Sequence, residues 1–391
     1  MKWILILGMG LLFSCSHSQS ETDTHVAEKQ RNSILDSLEI DMEVARNPKY
    51  RFQFVATSIQ NGTAIKSVAY GTDKYYYPAS LVKVPAALVL LEVLNERNIP
   101  LDAIPVFDTI NACGSTKFVE ISKEHQVSFR QMLTELIVAS DNHFYNAIYH
   151  FITPKELNER LRRKGLQGVK VYRAFTGCNR TDQLRTYPYK VFERSSPEKL
   201  IYVQNASVLD SAVLESQYSF SQNRLFGSKH ENSAGEIVEG PYDLNYHIEI
   251  PLEQMHTMMR FIFYPSHFPE EKKWNIRESD LTYLKEMLGT FPSEIPTSYR
   301  SLKHLKDREY KYVLRLQEGK TRTFGKLGLS YGFASECVYV PSEGIGNGVL
   351  LSYSVYVNSN DIVNDGEYDY ETVARPFAEE LFSKILKWHK K

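Results

Sequence analysis

Three short groups of polar residues follow one another along the chain in an order that could build an acyl-transfer site. Ser80 is followed three residues later by Lys83, residues 140–142 read Ser-Asp-Asn, and residues 326–328 read Lys-Leu-Gly. A serine hydroxyl is a weak nucleophile until a neighbouring group takes its proton. Residues three apart on a helix share a face, so the amine of Lys83 can approach the hydroxyl of Ser80. The first group therefore predicts an activated serine.

The residues after Ser80 predict a buried helix that begins at or beside it. Apolar residues recur at helical spacing over 81–95, and little of this run is polar before Glu92. Pro85 is tolerated because backbone N–H groups near a helix start lack intrahelical partners. The positive end of the helix dipole favours negative charge on Ser80. Burial and nearby positive charge would lower the pKa of Lys83 toward a value suited to a base. The alternative is a serine cap with an exposed lysine, which the apolar neighbours disfavour.

The second and third groups also have ordinary structural interpretations. Residues 140–142 lie between two helix-compatible runs, 129–139 and 142–151, where one polar residue would serve as a helix cap. Lys326 and Gly328 lie on a predicted strand, and such a sequence also occurs at plain strand ends. A cap needs only one polar residue, however, and all three groups occur together in suitable local contexts. This combination favours one shared site.

The three groups resemble the S-x-x-K, S-D-N and K-T-G motifs of class A β-lactamases and penicillin-binding proteins. The resemblance implies an active-site serine hydrolase, without cofactor, that forms an acyl-enzyme at Ser80. It implies that Ser140 relays a proton to the leaving nitrogen. It also implies that Asn142 orients Lys83 and binds the substrate amide, and that Lys326 attracts a substrate carboxylate.

The same resemblance assigns roles to the surrounding backbone and side chains. The backbone N–H groups of Ser80 and Leu329 would form an oxyanion hole, which is a common large source of rate. Gly328 would let a substrate lie against the strand edge without a side-chain clash. Asp141 would be structural, and Asn146 matches a position that braces the active-site wall.

Two departures from the family pattern affect the expected activity. Leu327 replaces the usual Thr or Ser, so a hydroxyl contact to the substrate carboxylate is missing. The family's Glu-x-x-Leu-Asn pattern, whose glutamate activates the hydrolytic water, is also missing. Residues 156–158 look similar, but Pro154 stands at the glutamate position, and residues 172–186 contain Asp182 but no glutamate. We therefore expect slow deacylation with penicillins, and β-lactam hydrolysis and D-amino-acid peptide or ester hydrolysis remain close rivals.

The elements around these motifs predict an α+β fold. Strands are predicted at 51–59 and 64–70, joined by a hairpin turn at Asn61 and Gly62. The other predicted elements are a strand-like piece at 199–204, helices at 251–263 and 280–288, strands at 322–328, 336–339 and 349–357, and an amphipathic helix at 370–390. Strands from both chain ends would form one antiparallel sheet with a helical subdomain inserted.

This order of elements is similar to the β-lactamase/transpeptidase-like fold across roughly residues 48–391. The distance along the chain from Ser80 to Lys326 is longer than in compact class A enzymes. We place the excess in an insertion at about 175–250.

The first 15 residues predict a lipoprotein-type signal peptide. Lys2 precedes an apolar run at 3–13 that is too short to span a bilayer. The run ends in Leu-Phe-Ser-Cys15, which looks like a bacterial lipobox and implies that Cys15 becomes the lipidated N-terminus. An ordinary cleaved signal peptide is the alternative. Residues 16–47 read as a polar tether with a short amphipathic helix, so we expect an exported, membrane-anchored protein, on the periplasmic face if the cell has an outer membrane.

The composition and the remaining motifs give no support to nucleic-acid binding or to a metal site. The formal net charge of −1 gives no sign of a nucleic-acid partner. Three cysteines other than Cys15, at positions 113, 178 and 337, allow at most one disulfide and a free thiol. Glu253 and His256 share a helix face, but one such pair suggests a structural role and no metal site.

A second interpretation, in which the protein is not an enzyme, stays open beside the enzymatic one. A cell-envelope protein could have kept the fold in order to bind cell-wall peptides without catalysis. The presence of Ser80, Lys83, Ser140 and Asn142 together counts against it, because a decayed site should lose some of them.

Overall fold

The fold is organised around a five-stranded antiparallel sheet. In spatial order, its strands are residues 324–330, 333–341, 348–356, 53–60 and 63–70. The computed structural model describes residues 33–107, 127–176, 182–295, 311–312, 322–343 and 346–391. The strands of the sheet are β1 (Gln53–Gln60), β2 (Thr63–Tyr70), β10 (Phe324–Ser330), β11 (Phe333–Pro341) and β12 (Gly348–Tyr356). The first two come from the N-terminal side and the last three from the C-terminal side. The predicted α+β architecture is therefore confirmed.

The longer helices are α1 (Lys83–Glu96), α2 (Phe129–Val138), α3 (Asn142–Ile152), α4 (Pro154–Arg163), α5 (Leu252–Phe263), α6 (Glu278–Gly289) and α7 (Arg375–Lys390). Except for α4, which the apolar spacing did not predict, their bounds lie within a few residues of the helical runs that the apolar spacing predicts. The last helix differs most, because a π-helical turn at Tyr370–Ala374 precedes it.

The two faces of the sheet are covered by different parts of the chain. Phe54 of β1 packs with Phe377 and Leu381 of α7 in one buried cluster. Val55 and Ile59 of the same strand belong to a second cluster, which contains the helical subdomain. Successive side chains of a strand point to opposite faces, so β1 has buried side chains in both layers.

The helical subdomain surrounds α1, whose residues from Lys83 to Leu94 are all buried. Apolar residues of α2, α3, α4, α5 and α6 belong to the same cluster as those of α1. A helix that is apolar around its whole circumference needs such an environment. The prediction that this helix is buried is therefore confirmed.

The packed domain begins earlier than the expected boundary at residue 48. Leu35, Leu38 and Ile40 are buried in the same cluster as Phe377 of α7. A short helix covers residues 33–37, where the sequence predicts an amphipathic helix. Because its apolar face covers part of the sheet, this segment belongs to the folded body and not to a tether. The predicted signal peptide and Cys15 lie outside the described residues.

The segment at 175–250 folds mainly as short strands. It supplies β4 (Tyr189–Glu193), β5 (Ser196–Gln204), β6 (Leu225–Phe226), β7 (Lys229–Glu231), β8 (Ile237–Glu239) and β9 (Tyr242–Asp243). The strand β3 (Ile104–Phe107) pairs with β4, and β7 pairs in parallel with β13 (Ile362–Val363). The segment is therefore connected to both the helical subdomain and the chain beyond the sheet.

Two further sequence features can be placed in this fold. Cys337 on β11 is a buried free thiol, whereas Cys113 and Cys178 lie outside the described residues. No helix in the described ranges combines the length and the apolar character needed to cross a bilayer.

Candidate active site

Ser80 lies in a tight turn that leads directly into α1. The turn is the 3-10 helix Ala79–Val82, and the N–H group of Leu81 donates to the carbonyl oxygen of Pro78 at 2.9 Å. Ala79 has a φ of 46°, in the left-handed region that a non-glycine residue rarely adopts. Such strain persists only where the surrounding structure holds it in place, and it is common at active sites. Ser80 is half-buried at the start of the helix, as the sequence predicts.

The amine of Lys83 is surrounded by oxygen atoms from the first two motifs. Its Nζ donates to Ser80 Oγ at 3.0 Å, to Ser140 Oγ at 3.1 Å and to Asn142 Oδ1 at 2.7 Å. It also donates to the carbonyl oxygen of Ser140. All four acceptors are neutral, and the described part of the chain gives Lys83 no ion pair. Four of the residues that the sequence predicts for the site are therefore brought together.

Burial decides the protonation behaviour of Lys83. Its side chain is fully buried, and this desolvation lowers its pKa well below the ordinary value, with the positive charge of Lys326 acting in the same direction. The charge of Asp141 acts in the opposite direction but does not cancel the shift. A buried amine with no carboxylate partner is more easily deprotonated. Lys83 is therefore suited to accept the proton of Ser80.

Backbone geometry explains how residues 140–142 serve both a cap and the site. Ser140 has a φ of 55°, and both its carbonyl oxygen and its hydroxyl contact Lys83. Asp141 is the N-cap of α3, where its carboxylate accepts from the N–H group of Phe144 at 2.9 Å. The capping interpretation thus holds for Asp141, while the residues on either side of it face the lysine.

Lys326 and Gly328 lie on β10, which passes directly beside the turn that carries Ser80. A Cβ atom added at Gly328 would lie 2.5 Å from the carbonyl oxygen of Pro78 and 3.0 Å from the backbone nitrogen of Ser80. The chain's own backbone therefore requires a glycine here, and its predicted role in making room for a substrate stays a prediction. Lys326 is buried, which lowers its pKa to about 7, and the charge of Lys311 contributes.

The neighbours of Gly328 differ in what they face. Leu327 is buried in the cluster that contains α7, on the other side of the sheet from the helical subdomain. Leu329 is half-buried and pairs with Ala334 of β11. Its strand runs beside Ser80, which is compatible with the predicted oxyanion hole, and the assignment of those two N–H groups stays a prediction.

Phe175 is a site residue that the sequence analysis missed. Asn146 donates from Nδ2 to the carbonyl oxygen of Phe175 at 3.0 Å and accepts from its N–H group at 2.7 Å. The ring of Phe175 lies 5.4 Å from Lys83 Nζ and packs against Tyr145 with the centroids 4.7 Å apart. Asn146 therefore braces an active-site wall, as predicted, and that wall presents an aromatic ring to the lysine.

No sequence pattern points to Phe175, because its position depends on a contact with a residue 29 places earlier. Asp182, the acid that the sequence places within residues 172–186, lies in the short turn Asp182–Leu184. Its neighbour Gln183 is buried and accepts from the N–H group of Ala174 at 3.1 Å.

The pair Glu253 and His256 has the structural role that the sequence suggests. His256 is buried and its ring nitrogens lie 2.9 Å from Thr57 Oγ1 and 3.0 Å from Ser352 Oγ. It thereby links α5 to the sheet. Glu253 accepts from Thr72 at 2.7 Å. In the described ranges, no group of three or more potential metal ligands occurs.

Comparisons with known proteins agree with this arrangement. Residues 37–206 match the model of a family described as the "Beta-lactamase enzyme family". The search of curated proteins gave no match.

Solved structures share the fold at low sequence identity. The TLA-3 extended-spectrum β-lactamase superposes with a TM-score of 0.52 at 12% identity, covering 92% of this chain and 100% of the other. A class A β-lactamase from Mycobacterium abscessus gives a TM-score of 0.53 at 11% identity, with 93% and 100% covered. At such identities the likeness concerns the fold, so a specific activity has to be argued from the site.

Proposed function

We propose that this chain, a β-lactamase/transpeptidase-like serine hydrolase, acts in the manner of the class A family and forms an acyl-enzyme at Ser80 with β-lactams or related amides. The observation that carries the proposal is the contact of 3.0 Å between Lys83 Nζ and Ser80 Oγ, made by an amine that is fully buried. Burial favours the neutral amine, which no longer donates to Ser80 Oγ but accepts the proton of that hydroxyl across the same contact. Neither the cap interpretation nor an exposed lysine accounts for both facts.

The proposed reaction begins when neutral Lys83 takes the proton of Ser80. The Oγ atom attacks the carbonyl carbon of the substrate, and the carbonyl oxygen becomes an oxyanion held by the N–H groups of Ser80 and Leu329. The intermediate collapses when its C–N bond breaks. The hydroxyl of Ser140, itself 3.1 Å from Lys83 Nζ, passes a proton to the leaving nitrogen and is reprotonated by the lysine.

Substrate recognition in this proposal depends on Asn142 and Lys326. Asn142 accepts from Lys83 through Oδ1, so its Nδ2 group remains to bind the substrate amide. Lys326 supplies positive charge for a substrate carboxylate. Leu327 offers no hydroxyl there, which weakens the case for typical β-lactam specificity.

We propose further that the acyl-enzyme is hydrolysed slowly. Hydrolysis needs a base that activates water, and the wall braced by Asn146 presents the ring of Phe175 to Lys83 at 5.4 Å instead of a carboxylate. An aromatic ring accepts no proton and excludes water from that side. The same observation favours a second candidate function, a penicillin-binding-protein-like D-amino-acid peptidase or esterase.

The deciding experiment is labelling with a fluorescent penicillin, followed by intact-mass measurement of the wild type and Ser80→Ala. We expect a burst of about one equivalent, a mass increase equal to the whole penicillin and slow release of the product. Ser80→Ala should show no adduct. An adduct that survives Ser80→Ala would refute the site, and rapid turnover without an adduct would refute slow deacylation.

A wild type that binds cell-wall peptides but is acylated by neither penicillins nor peptide esters would instead be the non-catalytic envelope protein. This result would overturn the enzymatic proposal while leaving the family assignment intact.

The cellular location is a separate proposal that rests on the N-terminal sequence. We propose export and a lipid anchor at Cys15, supported by the short apolar run that ends there and the polar residues that follow. Cys15→Ser should move the protein from the membrane fraction to the soluble fraction. Identical fractionation of the wild type and the variant would refute lipidation.

A further inference from the structure

A cluster of four rings and one cation lies beside the proposed acylation site. Its members are Tyr77, Arg173, Tyr242, His247 and Tyr331. None of them takes part in the reaction described above. We call this group the tyrosine–arginine cluster.

The position of the cluster follows from three chain segments that converge on Ser80. Tyr77 lies three residues before Ser80 in the sequence. Arg173 lies two residues before Phe175, whose ring faces Lys83. The third segment is β10, which passes Ser80 at Gly328 and ends one residue before Tyr331. The cluster therefore lies on segments that also reach the proposed acylation site.

The extra segment at 175–250 completes the cluster. Tyr242 lies on β9, and its ring centroid is 5.0 Å from that of Tyr331 and 5.8 Å from that of His247. The ring of Tyr77 lies 4.9 Å from Tyr331 and 5.8 Å from His247. The segment thus contributes two of the four rings, which gives it a role that the sequence did not reveal.

Arg173 has no acidic partner in the described part of the chain. Its guanidinium is half-buried, and its one side-chain hydrogen bond there joins Nη1 to His247 Nε2 at 3.2 Å. A guanidinium is always charged, and partial burial without a carboxylate is unfavourable. Side chains of this kind are suited to bind a carboxylate through two parallel hydrogen bonds.

His247 holds Arg173 without neutralising it. Burial lowers the pKa of His247 well below its ordinary value, and the charge of Arg173 acts in the same direction. The ring is therefore neutral, and Nε2 must accept from Arg173, which places the hydrogen on Nδ1. That Nδ1 atom is buried and has no partner in the described ranges. Besides the tyrosine hydroxyls, the cluster thus contains the charged donor Arg173 and the Nδ1–H donor of His247, and no acid.

We infer that the tyrosine–arginine cluster is a binding subsite for the acyl part of the substrate and that it selects acyl groups carrying a carboxylate. The inference rests on the proposed acylation of Ser80. The half-buried rings of Tyr242 and Tyr331 supply apolar surface for the body of the acyl group, and Arg173 binds its anionic end. This carboxylate is distinct from the one on the leaving-group side that Lys326 attracts.

The test uses two penicillins that differ by one carboxylate, benzylpenicillin and its α-carboxy derivative. The second-order rate constant of acylation is measured for each, and their ratio is compared among variants. We expect the wild type to favour the α-carboxy compound by about tenfold, as a hydrogen bond to a charged group allows. Arg173→Gln should bring the ratio close to one, and Arg173→Lys should keep part of the preference.

The matched control is Arg194→Gln, which removes the same charge from an exposed position. It should leave the ratio at the wild-type value. If Arg173→Gln does not fold, the wild-type ratio is measured at rising salt, where a preference based on charge should fall. A wild-type ratio near one, or a ratio that Arg173→Gln leaves unchanged, would overturn the inference. Failure of both penicillins to acylate the wild type would instead overturn the proposed function.

Discussion

The two ends of α1 both bury an ionisable side chain, but in opposite ways. At its start, the acceptors that Lys83 finds among the described residues are all neutral oxygen atoms, of Ser80, Ser140 and Asn142. Near its end, Glu92 is equally inaccessible but forms ion pairs with Arg160 at 3.0 Å and with a second cation at 2.8 Å.

The paired end is part of a larger ionic cluster. Arg160 of α4 also contacts Glu96 and Glu156, each at 2.7 Å. The second cation at Glu92 is Lys164, just after α4. These bonds fasten α4 to α1, so removing one partner would leave a buried charge uncompensated.

This difference shows which buried charges serve stability and which serve chemistry. Buried charges that are paired on several sides contribute to a fixed packing arrangement. A buried amine without an ionic partner weakens the fold, but its pKa is lowered in the way that a base requires. The helix sequence shows both Lys83 and Glu92 as polar residues in an apolar run. Only their partners distinguish the roles.

The largest expected effect is on the unpaired end. Lys83→Met keeps the length of the side chain and removes the base, so acylation by a penicillin should slow by about 10²–10⁴-fold. The melting temperature should not fall, because the substitution removes a buried amine that has no ionic partner among the described residues and therefore weakens the fold. Lys155→Met, on an exposed part of α4, should change neither quantity. A fall in stability with unchanged acylation would assign Lys83 to the structure and not to the chemistry.

The paired end should respond in the opposite sense. Glu92→Gln leaves Lys164 without its carboxylate and removes one partner of Arg160, so the free energy of unfolding should fall by about 3 kcal/mol. Acylation by the folded protein should stay within about twofold of the wild type. Urea unfolding and acylation kinetics measure the two effects, with the exposed Glu159→Gln as control. Unchanged stability would contradict the structural role.

A carboxylate added at Phe175 would give Lys83 an acidic neighbour. The start of α1 would then resemble its end, where Glu92 is paired with cations. Phe175→Glu should shorten the lifetime of the acyl-enzyme at least tenfold, because the new carboxylate can activate water. Its charge should also raise the pKa of Lys83 and move the acylation profile to higher pH. Phe175→Gln has the same length and no base. Equal lifetimes for the two variants, measured by intact mass, would exclude this wall as the place for a deacylating base.

The smallest expected effect concerns the contribution of Lys326 to the way that folding stability changes with pH. Burial lowers its folded-state pKa to about 7, whereas an unfolded lysine keeps its proton up to about pH 10.4. Between these values the unfolded state holds more protons, so this residue makes stability rise with pH. Lys326→Met should therefore stabilise the protein more at pH 6 than at pH 9. At pH 6 the free energy of unfolding should rise by roughly 1–3 kcal/mol. Unfolding curves at both values measure the difference, and a gain that is equal at both would contradict the lowered pKa.

The same titration should affect substrate binding by the wild type. Lys326 loses its charge as the pH rises through about 7, so half-saturation by an anionic substrate should need more substrate above that pH.

The sequence by itself determined the sheet, the main helices and the residues of the three motifs. Local patterns were sufficient for these features, because apolar periodicity and hairpin turns depend on neighbours along the chain. The motif residues are also few and ordered, and the structure brings Ser80, Lys83, Ser140 and Asn142 within hydrogen-bonding distance.

Only the tertiary structure decided which partners surround those residues. Phe175 is held near Lys83 by Asn146, Gly328 is required by the backbone beside Ser80, and Arg173 bonds to His247, 74 places later in the chain. Residues 16–47 were predicted as a polar tether with a short amphipathic helix outside the domain, because the apolar pattern of that helix gives no sign of the sheet that it covers. Each of these contacts joins positions far apart in the sequence, and a long-range contact leaves no periodic trace in the chain. The charge state and accessibility of a side chain depend on such contacts, so the chemistry of the site could be completed only in the folded protein.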